Sequence, residues 1–169
     1  THIIIDIPAG SDSKVSSRAE ALRLKKNFEE IGKKLRKHVK VIITDGSQPI
    51  GNGIGPALEA RDVLWLLRRD LRRPLDLEKK CIILATETLK LANIKSPREK
   101  VLEILNSGRA YNKMKEIIKA QQGKVFNPDK IKIGNFKYNV RSSRNGIVRK
   151  ISNSIISKIA RIAGAPANK

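Results

Sequence analysis

The residues of this chain that are best placed to do chemistry lie between an apolar run and a helix. The apolar run ends at Asp45, and four glycines follow between positions 46 and 55, before a helical pattern begins at about Pro56. Free backbone amides in a loop that enters a helix can hold an anion. Backbone carbonyls of such a loop could instead bind a cation, together with Glu59 or Asp62 one turn into the helix. A structural glycine turn is the third interpretation, and physical reasoning alone favours it.

The glycine loop does not match the motifs that hold nucleotides. It lacks the Gly-Lys-Ser or Gly-Lys-Thr triplet of a P-loop, and the spacing of Gly51, Gly53 and Gly55 differs from the dinucleotide-binding fingerprint. The two histidines, His2 and His38, have neither a cysteine nor each other close in sequence. Metal-cluster and catalytic-triad interpretations are therefore poorly supported, and we assign no catalytic residue to the chain.

Two further carboxylates follow apolar runs. Asp6 and Asp45 stand at the ends of neighbouring predicted strands, and strand ends of α/β sheets are where ligands gather. Both are therefore candidates for facing a cleft. The alternative for Asp45 is an Asx turn with Gly46 and Ser47, in which the carboxylate accepts a hydrogen bond from a nearby backbone amide.

The elements that position these residues begin with a strand, a helix and a second strand. Residues 2–7 and 39–44 are apolar runs, and Ser17 with Glu20 between them fits a capping box at a helix start. The order strand, helix, strand favours two parallel strands in one sheet. The apolar stripe of the helix consists of Ala21, Leu24, Phe28, Ile31 and Leu35.

Helical patterns continue from the glycine loop to position 123. Helices are predicted over 56–69 and 76–92, and a third begins at a second capping box, Ser96 with Glu99, and breaks at 106–108. Cys81, the single cysteine, has apolar neighbours and is predicted to be a buried small residue rather than a reactive thiol. The buried face of the first of these helices is predicted to consist of Ala57, Ala60, Val63, Leu64 and Leu67, with Trp65 off its centre as a packing residue.

The character of the chain changes after Gly123. Apolar residues alternate from 131 to 140 around Gly134-Asn135, which predicts a β-hairpin. A second turn signal stands at Asn145-Gly146, and a short amphipathic helix follows. We therefore divide the chain into an α/β part, residues 1–123, and the start of a smaller α+β subdomain, residues 124–169.

Composition limits the classes of function. The formal net charge of +20 makes an anionic partner plausible, and a basic nucleic-acid-binding module is one hypothesis. The charges are nevertheless spread over nearly every predicted helix, without a basic block that contains interleaved aromatics, which favours a solvated basic surface. One cysteine allows no internal disulfide, and no apolar run is long enough to span a bilayer, so we expect a cytoplasmic protein. Because the chain starts at Thr1 and its one methionine is internal, we expect a piece of a longer polypeptide.

Four segments of the chain, in order, match the motifs of a single enzyme family. Residues 5–10, Ile-Asp-Ile-Pro-Ala-Gly, resemble a strand and loop that follow its base-reading helix, and residues 44–62 resemble its T-D-x-x-Q-P-[IL]-G segment. Residues 107–121 resemble a long helix that ends in A-Q-G-G, where this chain has Gln122 in place of the first glycine. Residues 159–166 resemble its R-x-x-G-A-P element. The family is that of the thymidine and pyrimidine-nucleoside phosphorylases, and the resemblance is closest to its archaeal AMP phosphorylase branch.

This resemblance implies a fold and an activity. The family's α/β domain is a mixed or parallel sheet flanked by helices, and its enzymes cleave the glycosidic bond of a nucleoside or nucleotide with inorganic phosphate. No redox cofactor is needed, phosphate is the co-substrate, and members are commonly homodimers. The family's phosphate loop and its base-reading Arg, Ser and Lys are absent from this chain, so we expect it to be inactive alone. We expect neither a membrane partner nor nucleic acid. The remaining hypothesis is a non-catalytic piece that folds only against its missing half.

The resemblance also carries two sets of site residues onto this sequence. In some bacterial relatives a structural cation lies under the phosphate loop, and its backbone-carbonyl and carboxylate positions match Ile50, Gly53 and Asp62. Relatives have Glu where this chain has the shorter Asp62. The loop from Gly10 to Val15, which includes Lys14, would border the base pocket.

Overall fold

The computed structural model describes residues 2–166. It is an α/β structure with six α-helices and a parallel two-stranded sheet among the described residues. In chain order the elements are β1 (His2–Ala9), α1 (Arg18–Lys34), β2 (His38–Asp45), α2 (Pro56–Leu67), α3 (Leu75–Leu91), α4 (Pro97–Asn106), α5 (Arg109–Ala120), a single 3-10 turn (Pro128–Lys130) and α6 (Asn153–Ile162).

The sheet confirms the predicted strand–helix–strand unit. β1 and β2 are parallel and in register from His2 opposite His38 to Ala9 opposite Asp45. Helix α1 packs on this sheet, and Ala21 is fully buried against Ile7 and Val41. Both strands therefore end at the same edge, where their loops leave the sheet side by side.

The predicted stripe of α1 is covered only at its amino-terminal half. Ala21 is buried and Leu24 is partly buried, whereas Ile31 is 52% exposed and Leu35 is 63% exposed. The carboxyl-side turns still lie on the sheet, because Gly32 is buried against the Val39 side chain, so the buried face of α1 is rotated away from Ile31 and Leu35. The polar residues Lys25 and Glu29 instead reach the strand, where they bond the carbonyl and the amide of Val41.

Helices α2 to α5 form the second packed part of the molecule. Leu64 and Leu66 of α2 and Val101 and Leu105 of α4 are buried there. The predicted face of α2 is partly wrong, because Ala57 and Ala60 are exposed while Asp62, Trp65 and Leu66 are buried. Trp65 is a packing residue as predicted, and the guanidinium carbons of Arg61 and Arg72 lie 4.4 and 4.6 Å from its ring centroid.

The first predicted capping box, at the start of α1, forms only on its serine side. The second, at the start of α4, does not form. Ser17 Oγ accepts a hydrogen bond from the Glu20 amide at 3.2 Å, while the Glu20 carboxylate reaches the Ser16 amide at 3.1 Å rather than that of Ser17. Ser96 lies in the left-handed region, at φ 46°, and makes no side-chain cap bond. In that conformation its hydroxyl does not face the free amides of α4.

The prediction of a buried Cys81 is also wrong. The residue is exposed on α3, beside Leu66 and Leu89 in an open apolar groove between the helices. Partial burial of its sulfur raises the pKa of its thiol, which keeps it protonated near neutral pH.

The predicted hairpin around Gly134-Asn135 does not form. Residues 124–166 contain no strand, and 131–152 run without helix or strand over the surface. Phe136 is 100% exposed and Tyr138 is 91% exposed. An alternating sequence becomes a strand only when its backbone finds a pairing partner and its apolar face a cover, and neither lies against this segment among the described residues. No helix among residues 2–166 is long and apolar enough to cross a membrane.

Candidate functional site at the strand ends

The loops that follow β1 and β2 cross each other at the carboxyl edge of the sheet. A Cβ atom on Gly10 would lie 2.5 Å from the Ser47 amide nitrogen, and one on Gly46 would lie 3.0 Å from the Pro8 carbonyl carbon. Any larger residue at either position would therefore collide with the opposite backbone. The amide of Gly46 continues the parallel ladder by donating to the Ala9 carbonyl at 2.9 Å.

This crossing borders an open cavity of about 270 Å³. Its walls contain backbone from both strand ends, one cation and one carboxylate. The lining residues are Ala9, Gly10, Ser16, Arg18, Ile43, Thr44 and Asp45. Strand ends with convergent polar groups are the usual ligand position in open α/β sheets.

The three loop residues named for the base pocket occupy different positions. Gly10 lines the cavity. Val15 forms an isolated bridge with Ala9, and its carbonyl accepts from the Gly10 amide at 3.0 Å. Lys14 is exposed on the same loop and does not line this cavity. Ser16 and Arg18, which the sequence did not point to as site residues, do line it.

The two aspartates predicted at strand ends differ, because Asp45 is the last residue of β2 whereas Asp6 lies inside β1, opposite Ile42. Asp45 lines the cavity and makes the expected Asx turn, in which its Oδ1 accepts from the Ser47 amide at 2.8 Å. That bond from the Ser47 amide lowers the pKa of Asp45, which keeps it ionised. Asp6 is engaged elsewhere, since it accepts from Thr44 Oγ1 at 2.7 Å and pairs with Lys80 Nζ of α3 at 2.6 Å.

Carboxylates of the chain itself occupy the amides of the glycine loop. Asp62 Oδ2 accepts from the amides of Asn52 and Gly53, each at 2.7 Å. The Gly51 amide donates to Asp76 at 3.0 Å, and the Gly55 amide donates to Glu59 at 3.0 Å. These four donors are therefore not free for an anion, and the structural interpretation of the turn accounts for them.

Asp62 retains one unused oxygen. The residue is 1% exposed, and its Oδ1 is buried with no hydrogen-bond partner among the described residues. A buried carboxylate oxygen without a partner fits a cation ligand, because desolvation leaves its charge uncompensated. No group of three or more His, Cys, Asp or Glu side chains that could hold a metal occurs within residues 2–166, so backbone carbonyls would have to complete such a shell.

Helix α6 reaches this edge from the other end of the sequence. Asp12 Oδ2, in the loop after β1, accepts from Ser152 Oγ at 2.6 Å and from the Ser154 amide at 3.1 Å. Asn153 Nδ2 donates to the Gly46 carbonyl at 2.9 Å. Sequence reasoning missed these residues; the Ser-Asn-Ser cluster at 152–154 signals a helix start, but its partner 140 residues away leaves no local pattern.

The fold and the site define an α/β protein whose polar loops gather at the carboxyl ends of parallel strands. Comparison with known proteins makes this more specific. A protein named "Putative thymidine phosphorylase" from Albidiferax ferrireducens is 41% identical over 169 residues, which is 98% of this chain and 32% of the relative. The AMP phosphorylase of Pyrococcus horikoshii is 45% identical over 172 residues, 99% of this chain and 34% of the relative. The AMP phosphorylase of Thermofilum pendens is 38% identical over 170 residues, 100% and 33%.

Nearly the whole chain is therefore similar to one segment of proteins named thymidine phosphorylase or AMP phosphorylase. It spans about a third of the length of the curated relatives that it matches. No family model matches the chain.

Proposed function

We propose that this chain is the part of a nucleoside or nucleotide phosphorylase that forms the floor and one wall of its substrate site. The polypeptide that contains it would cleave an N-glycosidic bond with inorganic phosphate and give a free base and a sugar 1-phosphate. The observation that carries this proposal is the similarity of the whole chain, at 38 to 45% identity, to relatives named thymidine or AMP phosphorylase.

The strand-end cavity is the part of the described chain that would border the substrate. Arg18 supplies a positive charge at its wall, and the Asp45 carboxylate supplies an acceptor. In this proposal Gly10 lies against the base, and the remaining contacts to phosphate come from outside these 169 residues. The carboxyl-side residues 124–169 would belong to a second, smaller subdomain, and the complete enzyme would be a homodimer.

The activity is tested with a polypeptide of the relatives' length that contains this sequence. It is incubated with phosphate and with AMP, CMP, UMP, thymidine or uridine in parallel, and release of the free base is measured. We expect turnover of at least one of these substrates that depends on phosphate, and none by residues 1–169 alone. A folded long polypeptide that releases no base from any of them would overturn the proposal.

We further propose a structural cation bound by Asp62 with the backbone carbonyls of Ile50 and Gly53. Its support is the unpaired buried Oδ1 of Asp62 next to the loop, and the cation would compensate that charge while holding the loop in place. A cation that binds only the folded state raises the midpoint of thermal unfolding, and well above its Kd the rise grows with the logarithm of its concentration. We expect Na⁺, K⁺, Ca²⁺ or Mg²⁺, tested one at a time at constant ionic strength, to raise the midpoint of the unmodified chain.

The matched variants are Asp62→Asn and Glu59→Gln. The first removes the buried charge and should abolish the response to the cation. The second changes a carboxylate of the same loop that is exposed and already bonded to the Gly55 amide, so its response should be unchanged. Equal responses in all three proteins would mean that Asp62 only fastens the loop.

A further inference from the structure

Helix α6 is attached to the rest of the molecule by polar bonds rather than by apolar burial. No residue of Asn153–Ile162 is buried against the described chain, and Ile155, Ile159 and Ile162 are 62, 54 and 79% exposed. Apolar burial is what ordinarily holds a surface helix in place. Ile156 and Ala160 are only partly covered, so the position of α6 depends mainly on the polar contacts at its ends.

The amino-terminal end of α6 is bonded to both loops of the strand edge. Asp12 accepts two hydrogen bonds from the first turn, and Gly46 accepts one from the Asn153 side chain. The Ile151 amide, just before the helix, donates to Gln48 Oε1 at 3.0 Å. These bonds join residues 103 to 142 positions apart in sequence.

One backbone oxygen connects three segments. The Gly46 carbonyl accepts from Ser13 Oγ of the loop after β1 and from Asn153 Nδ2 of α6. The carbonyl thus fixes the crossing of the two loops and the start of the helix at the same point. The residue next to it, Asp45, lines the cavity.

The other end of α6 reaches the glycine loop. A Cβ atom placed on Gly55 would lie 3.0 Å from the Cβ of Ala165, just after the helix. The segment from Ser152 to Ala165 therefore lies alongside residues 46–55, with contacts at both ends of that loop.

We propose that α6 is a latch that positions the two loops of the substrate cavity, with Asp12 and Asn153 as its positioning residues. Neither side chain lines the cavity, and both act by holding residues 10–16 and 45–48 in the crossing that shapes it. The effect on substrate binding rests on the proposed function. The effect on the loops does not, because it follows from the hydrogen bonds alone.

The first test is amide hydrogen exchange on residues 1–169. Hydrogen bonds to a charged group are stronger than those between neutral groups, so Asp12→Ala should speed exchange in peptides covering 10–16 and 45–48 by about tenfold or more. Asn153→Ala should act in the same direction and more weakly. The control is Ser142→Ala, which removes a hydroxyl bonded only to its neighbour Arg144 on the exposed segment, and it should leave these peptides unchanged.

The conservative variant separates positioning from general loss of structure. Asp12→Asn keeps an acceptor oxygen for Ser152 and the Ser154 amide, and should restore most of the protection. If Asp12→Ala accelerates exchange only within α6 and leaves 10–16 and 45–48 protected, α6 depends on the loops without positioning them, and the proposal is overturned.

The second test uses the long polypeptide with phosphate and its preferred substrate. We expect Asp12→Ala to raise KM for the nucleoside or nucleotide severalfold while kcat changes less, with Asp12→Asn intermediate. An unchanged KM in an active enzyme would refute the link to the cavity. If the unmodified polypeptide is inactive, the proposed function fails instead, and the exchange experiment still decides whether the latch exists.

Discussion

The two parts of this molecule are held together in different ways. Residues 2–123 bury apolar side chains between elements, and several of their ion pairs join different elements, such as Lys80 of α3 with Asp6 of β1. Residues 124–166 bury Pro128 but no large apolar side chain. They are attached through hydrogen bonds and ion pairs at the 3-10 turn and at the start of α6.

Charge follows the same division. Residues 124–169 contain eleven Lys and Arg against one acidic residue, whereas residues 1–123 contain twenty-five against fifteen. The single acid, Asp129, pairs with Arg72 at 2.7 Å and fastens the 3-10 turn to the loop before α3. Residues 124–166 therefore have neither a buried apolar face nor enough acidic residues of their own to balance their basic side chains. Their position depends on contacts with residues 2–123.

The largest expected contrast is between one buried and one exposed aliphatic residue. Leu66 is 3% exposed in the α2–α5 core, so Leu66→Ala should lower the free energy of unfolding by about 2–5 kcal/mol. Ile159 of α6 is 54% exposed, and Ile159→Ala should cost less than about 1 kcal/mol. Urea unfolding followed by the fluorescence of Trp65 measures both. Similar losses of unfolding free energy for the two variants would show that Ile159 is buried in solution and that α6, like α2, is held by apolar packing.

A smaller effect is expected at the ion pair that begins α3. Glu78 is 8% exposed and accepts from Arg69 and, at 2.6 Å, from Arg73 Nε. Burial alone would raise the pKa of Glu78, but the two guanidinium groups hold it below its usual range. Glu78→Gln should therefore cost about 2 kcal/mol, because it removes the charge from hydrogen bonds that are worth about 1.5–3 kcal/mol.

Glu103 provides the matched comparison for Glu78. It also pairs with two cations, Lys100 and Arg109, but on the open surface. Exposed pairs contribute little because water and salt screen them, so Glu103→Gln should leave the denaturation midpoint unchanged. Equal losses of unfolding free energy for Glu78→Gln and Glu103→Gln would show that burial does not make the ion pairs of Glu78 stronger than those of Glu103.

Sequence reasoning succeeded where the determining interactions are local and failed where they are distant. The strand–helix–strand unit, the Asx turn at Asp45 and the break at Gly108 follow from residue types at short spacing, and the structure contains all three. The prediction of a hairpin at 131–140 is wrong because a segment with alternating apolar residues forms a strand only when a partner strand is present. The partners of Asp12 and the burial of Asp62 depend on which distant segment arrives beside them, and periodicity does not encode that.

The smallest expected effect is the pH dependence of the hydrogen bonds between Asp12 and α6, which tests the attachment of α6 separately from the packing of residues 2–123. Hydrogen bonds from Ser152 Oγ and the Ser154 amide lower the pKa of Asp12 from 3.8 to about 2. Because the pKa is lower in the folded state, the stabilisation by Asp12 is complete above about pH 4 and is lost as the pH falls towards 2. NMR titration of the Asp12 carboxyl carbon should therefore give a midpoint near 2, with the Ser154 amide shift changing over the same range. In Asn153→Ala the carboxylate keeps both donors and should retain a low midpoint, whereas Ser152→Ala should move it back towards 3.8. A midpoint near 3.8 in the unmodified chain would mean that the bonds between Asp12 and α6 are not maintained in solution, and that the two parts are joined mainly through the 3-10 turn.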